Sequence, residues 1–152
     1  QVLLKKRLGI IPELHPFPIG SDLQELETDA VLIIGDRAMH VDKSKFAETW
    51  DLGQEWVDWT GLPFVFAMWT ARADLEVDLS SIEHAFSGAR DEGVQNIAQI
   101  AAQHSSELGI SQQQCEVYLR DHLYFYLGER ERQGQELFRR YVDELAAVAQ
   151  NG

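Results

Sequence analysis

The sequence predicts an α/β chain in two parts with a helical C-terminal portion. Three observations carry this: a continuous apolar run at 30–35, a second at 62–71 reached through the Trp-bearing polar connector 51–61, and apolar residues recurring at three- and four-residue steps after Ala73. Short runs rich in β-branched residues and bounded by turn formers read as buried strands, whereas steps of three and four read as amphipathic helix.

The opening residues carry Val2, Leu3, Leu4 and Leu8 with Lys5, Lys6 and Arg7, which matches the last two turns of an amphipathic helix stopped by Gly9. No cap residue and no initiating Met precede it, so the expectation is a chain cut within a helix and continuing upstream. Pro16 and Pro18 keep the segment around Phe17 extended and at an edge. Ser21 and Asp22 offer caps to a short helix over 21–26. The run 30–35, Ala-Val-Leu-Ile-Ile-Gly, reads as a buried strand ended by Asp36, and 37–50 as irregular chain with a possible helical turn. The run 62–71 reads as a second buried strand, with Pro63 near its first position.

From there the pattern is helical. Ser80, Ser81, Ile82 and Glu83 form a capping-box signature, and Ile82, Phe86, Ala89, Ile97, Ile100 and Ala101 keep one face apolar as far as Leu108 and Gly109. Ser111 and Gln114 repeat the device ahead of Cys115, Tyr118, Leu119, His122 and Tyr126, with Gly128 as the stop. A last helix from about Glu129 to Ala149 places Leu137, Phe138, Tyr141, Leu145 and Val148 inward. The organisation that follows is 1–50 as one part, 51–61 as a crossing, and 62–152 as the return strand and closing helices. There is no internal repeat and no low-complexity tether.

With 45% hydrophobic residues among 152, the chain has enough apolar matter for one sizeable core or two small ones. The formal charge of −12 is spread: residues 21–59 hold ten acids against three bases, and 60–152 hold fourteen against seven, so each block is −7. Such acidity argues against a phosphate-backbone partner, which needs a basic face. No window approaches the ~18 consecutive apolar residues of a membrane span. The single Cys115 excludes an internal disulfide and suits a reducing compartment.

Few residues point to chemistry. His15, His40, His84, His104 and His122 are scattered without ligand spacing, so no metal site is expected. Cys115 sits in an apolar helical stripe and reads as a small core residue. Asp36, at the C-terminal edge of the first run, either faces a ligand, as polar groups there do in open α/β sheets, or caps the following amides. Thr60 and Gly61 either present a hydroxyl and backbone N–H groups to a ligand or make a tight turn. Arg37 and Arg72 either fork onto a substrate carboxylate or pair with nearby acids. Trp50, Trp56, Trp59 and Trp69 either wall a pocket for an unsaturated ring or fill the core.

The stretches Asp29-Ala30-Val31-Leu32-Ile33-Ile34-Gly35-Asp36-Arg37-Ala38-Met39, Asp51-Leu52-Gly53-Gln54-Glu55-Trp56 and Trp59-Thr60-Gly61-Leu62-Pro63-Phe64-Val65-Phe66-Ala67-Met68-Trp69 resemble the chorismate dehydratase family of menaquinone biosynthesis by the futalosine route. The resemblance runs over nearly the whole chain and covers the C-terminal half or so of a family member. It implies a type II periplasmic-binding-protein-like two-lobed fold, incomplete here, with 1–50 in the second lobe, 51–61 as the hinge and 62–152 returning to the first. It implies a cytoplasmic lyase that converts chorismate, a small dicarboxylate, to 3-[(1-carboxyvinyl)oxy]benzoate without metal or organic cofactor, and that is inactive as this fragment alone. Asp36, Thr60 and Gly61 would shape the substrate cleft, the acid–base residues lying upstream of Gln1. The alternatives are the sister 1,4-dihydroxy-6-naphthoate synthase, with a similar Leu-Gly-x-x-Trp hinge, and a non-catalytic solute-binding protein.

Overall fold

The computed structural model describes residues 1–23, 27–72, 74 and 78–150, without the side chains of residues 36, 149 and 150. The expected helix over 21–26 lies partly outside the described residues. Two compact units emerge, Gln1–Val65 with Glu129–Gly152, and Phe66–Gly128.

The first unit holds four α-helices among its described residues. Helix α1, Val2–Leu8, ends as its sequence demands: Gly9 takes a left-handed φ of 72° and its N–H reaches back to the carbonyls of Leu4 and Lys5, while Lys5, Lys6 and Arg7 occupy the electronegative last turn. Two of these cations reach across the unit, Lys6 to Glu144 and Arg7 to Glu55. A short helix α2, Asp36–Met39, and a 3-10 turn, Lys43–Lys45, follow. Helix α3, Leu52–Thr60, occupies the stretch read as a polar connector. Asp51 caps it by accepting from the N–H groups of Gly53 and Gln54 at 2.9 and 3.1 Å, and Gly61, at φ 69°, closes it.

Trp56 is the centre of this unit's core at 1% exposure. Its ring meets Trp59, Phe64, Phe138 and Tyr141 edge-on with centroids 5.6–6.3 Å away, the separation at which the positive edge of one ring favours the face of another. The long helix α7, Glu129–Gln150, supplies Phe138 and Tyr141. Its approach depends on Gly134: a Cβ there would overlap the Pro63 carbonyl oxygen and lie 3.6 Å from the Leu62 Cβ. Arg130, one turn earlier, donates to the Gly61 carbonyl at 2.6 Å.

The second unit is helical. Helix α4, Leu79–Gln95, is capped by Asp78, two residues before the predicted cap at Ser80, since its carboxylate accepts from the Ser80 N–H at 3.0 Å and from both serine hydroxyls. Asn96 breaks the expected continuous helix: its side-chain amide donates to the Glu92 carbonyl at 2.7 Å. Helix α5, Ile97–His104, then packs on α6, Gln112–Val117, which opens with the predicted Ser111–Gln114 capping box. Ala101, Ser105 and Cys115 are buried where these two helices lie, so the thiol is a core group as its apolar stripe implies. A π-helical turn, Tyr118–His122, ends the helix before Gly128, with Leu123 in extended conformation and no regular secondary structure over 123–128.

The α/β expectation, and with it the type II periplasmic-binding-protein-like architecture, is overturned: among the described residues there is no strand and no sheet. Neither of the two apolar runs forms a strand among the described residues. A strand is a pairing, and local propensity fixes only the extension. Side-chain alternation persists: Val31 and Ile33 are half-buried, while Leu32 and Ile34 are 67% and 77% exposed. Phe66 and Trp69 in the second run are likewise 74% and 82% exposed.

Candidate functional site

The apolar run 30–34 leads into Gly35, whose φ of 66° turns the backbone sharply into α2. That turn sets Arg37 and His40 beside the loop 21–23. Asp42 then nucleates the next turn by accepting from the Ser44 N–H at 3.1 Å and the Ser44 hydroxyl at 2.6 Å, which fixes the path to Lys45 and Phe46. These pieces enclose an open hollow of about 580 Å³, within the range of small-molecule sites.

Its wall divides by chemistry. Leu23, Ile33, Val41 and Phe46 supply an apolar surface, and Arg37, His40 and Lys45 supply nitrogen donors. Ser21, Asp22 and Asp42 complete the lining. The Asp42 carboxyl is held below the usual carboxylate range by the Ser44 hydroxyl and N–H, helped by the Lys45 charge, so it is an anion already engaged.

The two arginines singled out in the sequence part company here. Arg72 forms a forked pair with Asp74, its Nε at 2.9 Å and its Nη2 at 2.5 Å from the two carboxylate oxygens. That pair holds the Asp74 carboxyl below its ordinary value. Arg37 is half-buried, lies over the Phe17 ring at 5.1 Å, and makes no ion pair with any described side chain. Stacking of this kind holds a guanidinium flat and leaves its N–H edge available.

The other predicted site residues sit as follows. Asp36 is the first residue of α2, next to Arg37, its side chain lying outside the described ones. Thr60 and Gly61 end α3 and are not part of the hollow's lining. The Thr60 hydroxyl donates to the Trp56 carbonyl at 2.8 Å and accepts from the Leu62 N–H at 3.2 Å. The Gly61 N–H donates to the Val57 carbonyl at 2.8 Å. Of the tryptophans, Trp56 is core, Trp59 stacks on Tyr141 at 5.2 Å, and Trp50 donates to Glu48 at 3.1 Å. Among the described residues no group of three His, Cys, Asp or Glu side chains could hold a metal ion. Sequence reasoning missed His40, Lys45 and the Phe17 platform; the Asp42-x-Ser44 turn signal was the available pointer to Lys45.

A smaller hollow of about 410 Å³ lies against α7, lined by Leu62, Gln133, Glu136, Leu137 and Arg140.

A sequence model of the family described as menaquinone biosynthesis matches residues 1–144. The chain belongs to that family. Among curated proteins, this member of the menaquinone biosynthesis family is similar to the chorismate dehydratase of Thermus thermophilus, at 31% identity over a 152-residue alignment covering 90% of this chain and 55% of the relative. The chain thus spans about half the length of the curated relative it matches. No solved structure matches it. No helix among the described residues is long and apolar enough to cross a membrane.

Proposed function

We propose that the natural protein carrying this chain is a carbon–oxygen lyase that removes water from chorismate, giving 3-[(1-carboxyvinyl)oxy]benzoate for menaquinone biosynthesis. The observation that carries the reading is the similarity to the Thermus chorismate dehydratase over nine-tenths of the chain, within a family match to residues 1–144. The product's aromaticity supplies the driving force. The protein's task is therefore to position the ring, place a base and a proton donor, and hold two carboxylates.

The hollow suits the binding part of that task. A cyclic dicarboxylate has an apolar ring face for Leu23, Ile33, Val41 and Phe46 and needs cationic donors for its charge. Local donors matter because the chain carries −12, which repels a dianion at long range. Asp36, next to Arg37, belongs to this reading as a residue beside the hollow, whereas Thr60 and Gly61, outside its lining, would shape the cleft elsewhere. The base and proton donor are not assigned to this chain. The enzyme would act in the cytoplasm.

The test is to incubate the purified natural protein with chorismate and, separately, with the precursor of 1,4-dihydroxy-6-naphthoate. Growth of benzoate-type absorbance from chorismate alone is expected. Turnover of the naphthoate precursor alone would assign the sister activity instead.

A further inference from the structure

We propose that Arg37 is the carboxylate-binding residue of this protein's small-molecule site, taking a ring-borne carboxylate on its free N–H edge while the ring packs on the apolar wall of the hollow. This deepens the function proposed above and rests on it for the identity of the natural ligand.

Three features of the site converge. First, the guanidinium is available: Arg37 has no carboxylate partner among the described side chains, whereas Arg72, Arg90 and Arg120 each pair with an aspartate within two residues in sequence. Arg132, Arg139 and Arg140 likewise form no ion pair with a described side chain, but Arg37 is the arginine in the lining of this hollow. Second, it is held in place. Phe17 lies under the guanidinium at 5.1 Å, and the His40 N–H donates to the Arg37 carbonyl at 3.4 Å, closing the short helix behind it. Fixing a cation before binding removes much of the ordering cost of a salt link. Third, the lining is built for a ligand that is apolar with a charged end, since four hydrophobic side chains stand in the same hollow as the guanidinium.

Of the acids in the lining, Asp42 does not cancel this. Asp42 is turned to Ser44 and lies near Lys45, so Lys45 is the partly neutralised cation and Arg37 the uncompensated one. A carboxylate meeting Arg37 can take two parallel N–H···O bonds, an arrangement a lysine at 37 would not reproduce. His40 and Lys45 then bias the orientation of the ligand's second charge.

The test compares benzoate with benzamide, ligands of the same shape that differ in charge, by NMR titration of the natural protein and of Arg37→Gln, Arg37→Lys and Arg72→Gln variants, with KM and kcat for chorismate measured alongside. Loss of a charge-assisted pair predicts a ~10–100-fold weaker benzoate affinity in Arg37→Gln, partial recovery in Arg37→Lys, unchanged benzamide binding, and no effect of Arg72→Gln. The chorismate KM rises by a similar factor while kcat falls less. No benzoate binding by the unaltered protein, equal loss of both probes, or equal loss in Arg72→Gln overturns the inference. If the protein fails to turn over chorismate but benzoate still depends on Arg37, the carboxylate site stands and the proposed reaction falls. If chorismate is turned over with an unaltered KM in Arg37→Gln, the reaction stands and this site falls.

Discussion

Replacing Gly134 by Ala sets two physical effects against each other, and the structure decides which wins. Glycine inside a helix costs about 1 kcal/mol relative to alanine, so on propensity alone Gly134→Ala would stabilise α7. The added Cβ, however, would overlap the carbonyl oxygen of Pro63 and lie 3.3 Å from its carbonyl carbon. Those atoms are backbone and cannot rotate aside. Either α7 lifts away, loosening Phe138 and Tyr141 from Trp56, or the 62–64 segment moves and takes Phe64 with it. Overpacking costs ~1–3 kcal/mol, and a clash with backbone lies in the upper part of that range, ~2–3 kcal/mol, so after the propensity gain the net expectation is a destabilisation of ~1–2 kcal/mol. For a unit of this size that corresponds to a Tm lower by roughly 4–16 °C. Urea and thermal denaturation followed by far-UV and Trp near-UV circular dichroism would measure it. An unchanged or raised Tm would show that α7 does not approach Pro63 as described, and the packing argument for the aromatic core would fail with it.

Trp56→Ala should cost ~3–5 kcal/mol by opening a cavity among four rings. Trp56→Phe should be milder than volume alone implies, because the Trp56 Nε1 is buried with no acceptor among the described residues and the phenyl ring removes that unmet donor; equal losses for the two variants would refute this. Gly61→Ala must hold an alanine at φ 69°, costing ~1–2 kcal/mol. If Gly61 only ends α3, stability falls and the chorismate KM does not, whereas a role in the cleft moves both. Hydrogen bonds from Ser80 and Ser81 to the Asp78 carboxylate hold its pKa below 3.8. The folded value is depressed, so the contribution is present above the unfolded pKa and is lost as pH falls through the folded one. Asp78→Ala should therefore lower Tm at neutral pH and flatten its fall on acidification below about pH 4, the ordinary carboxylate range; parallel Tm–pH curves would contradict it.

What the sequence disclosed follows from how local each cause is. Gly9 after Val2–Leu8, the Ser111–Gln114 box and the helix from Glu129 were legible because caps and helical periods are written within a few residues. The runs at 30–34 and 62–71 were legible as apolar, but reading them as strands failed, because a ladder needs a second segment that no local pattern specifies. Helix α3 was missed although its signals were present: Asp51 stands before Gln54 and Glu55, and Gly61 follows Thr60. Three tryptophans over 50–59 drew the reading towards a connector, when two of them, Trp56 and Trp59, belong to the core-facing side of a helix. At the site, Arg37 and Arg72 were indistinguishable in sequence. What separates them is a forked pair to Asp74 in one case and a Phe17 platform 20 residues upstream in the other. The family resemblance was read from short stretches such as Trp59-Thr60-Gly61-Leu62-Pro63, and the family match to residues 1–144 bears it out.

The central claim meets its most direct test in proton NMR of chorismate incubated with the purified natural protein. The account predicts that the ring's saturated-carbon protons vanish, an aromatic pattern replaces them, the enolpyruvyl vinyl protons persist, and the Arg37→Gln variant does this only at higher substrate concentration. Chorismate recovered intact under conditions in which the protein is folded, or loss of the enolpyruvyl group in place of water, would contradict it.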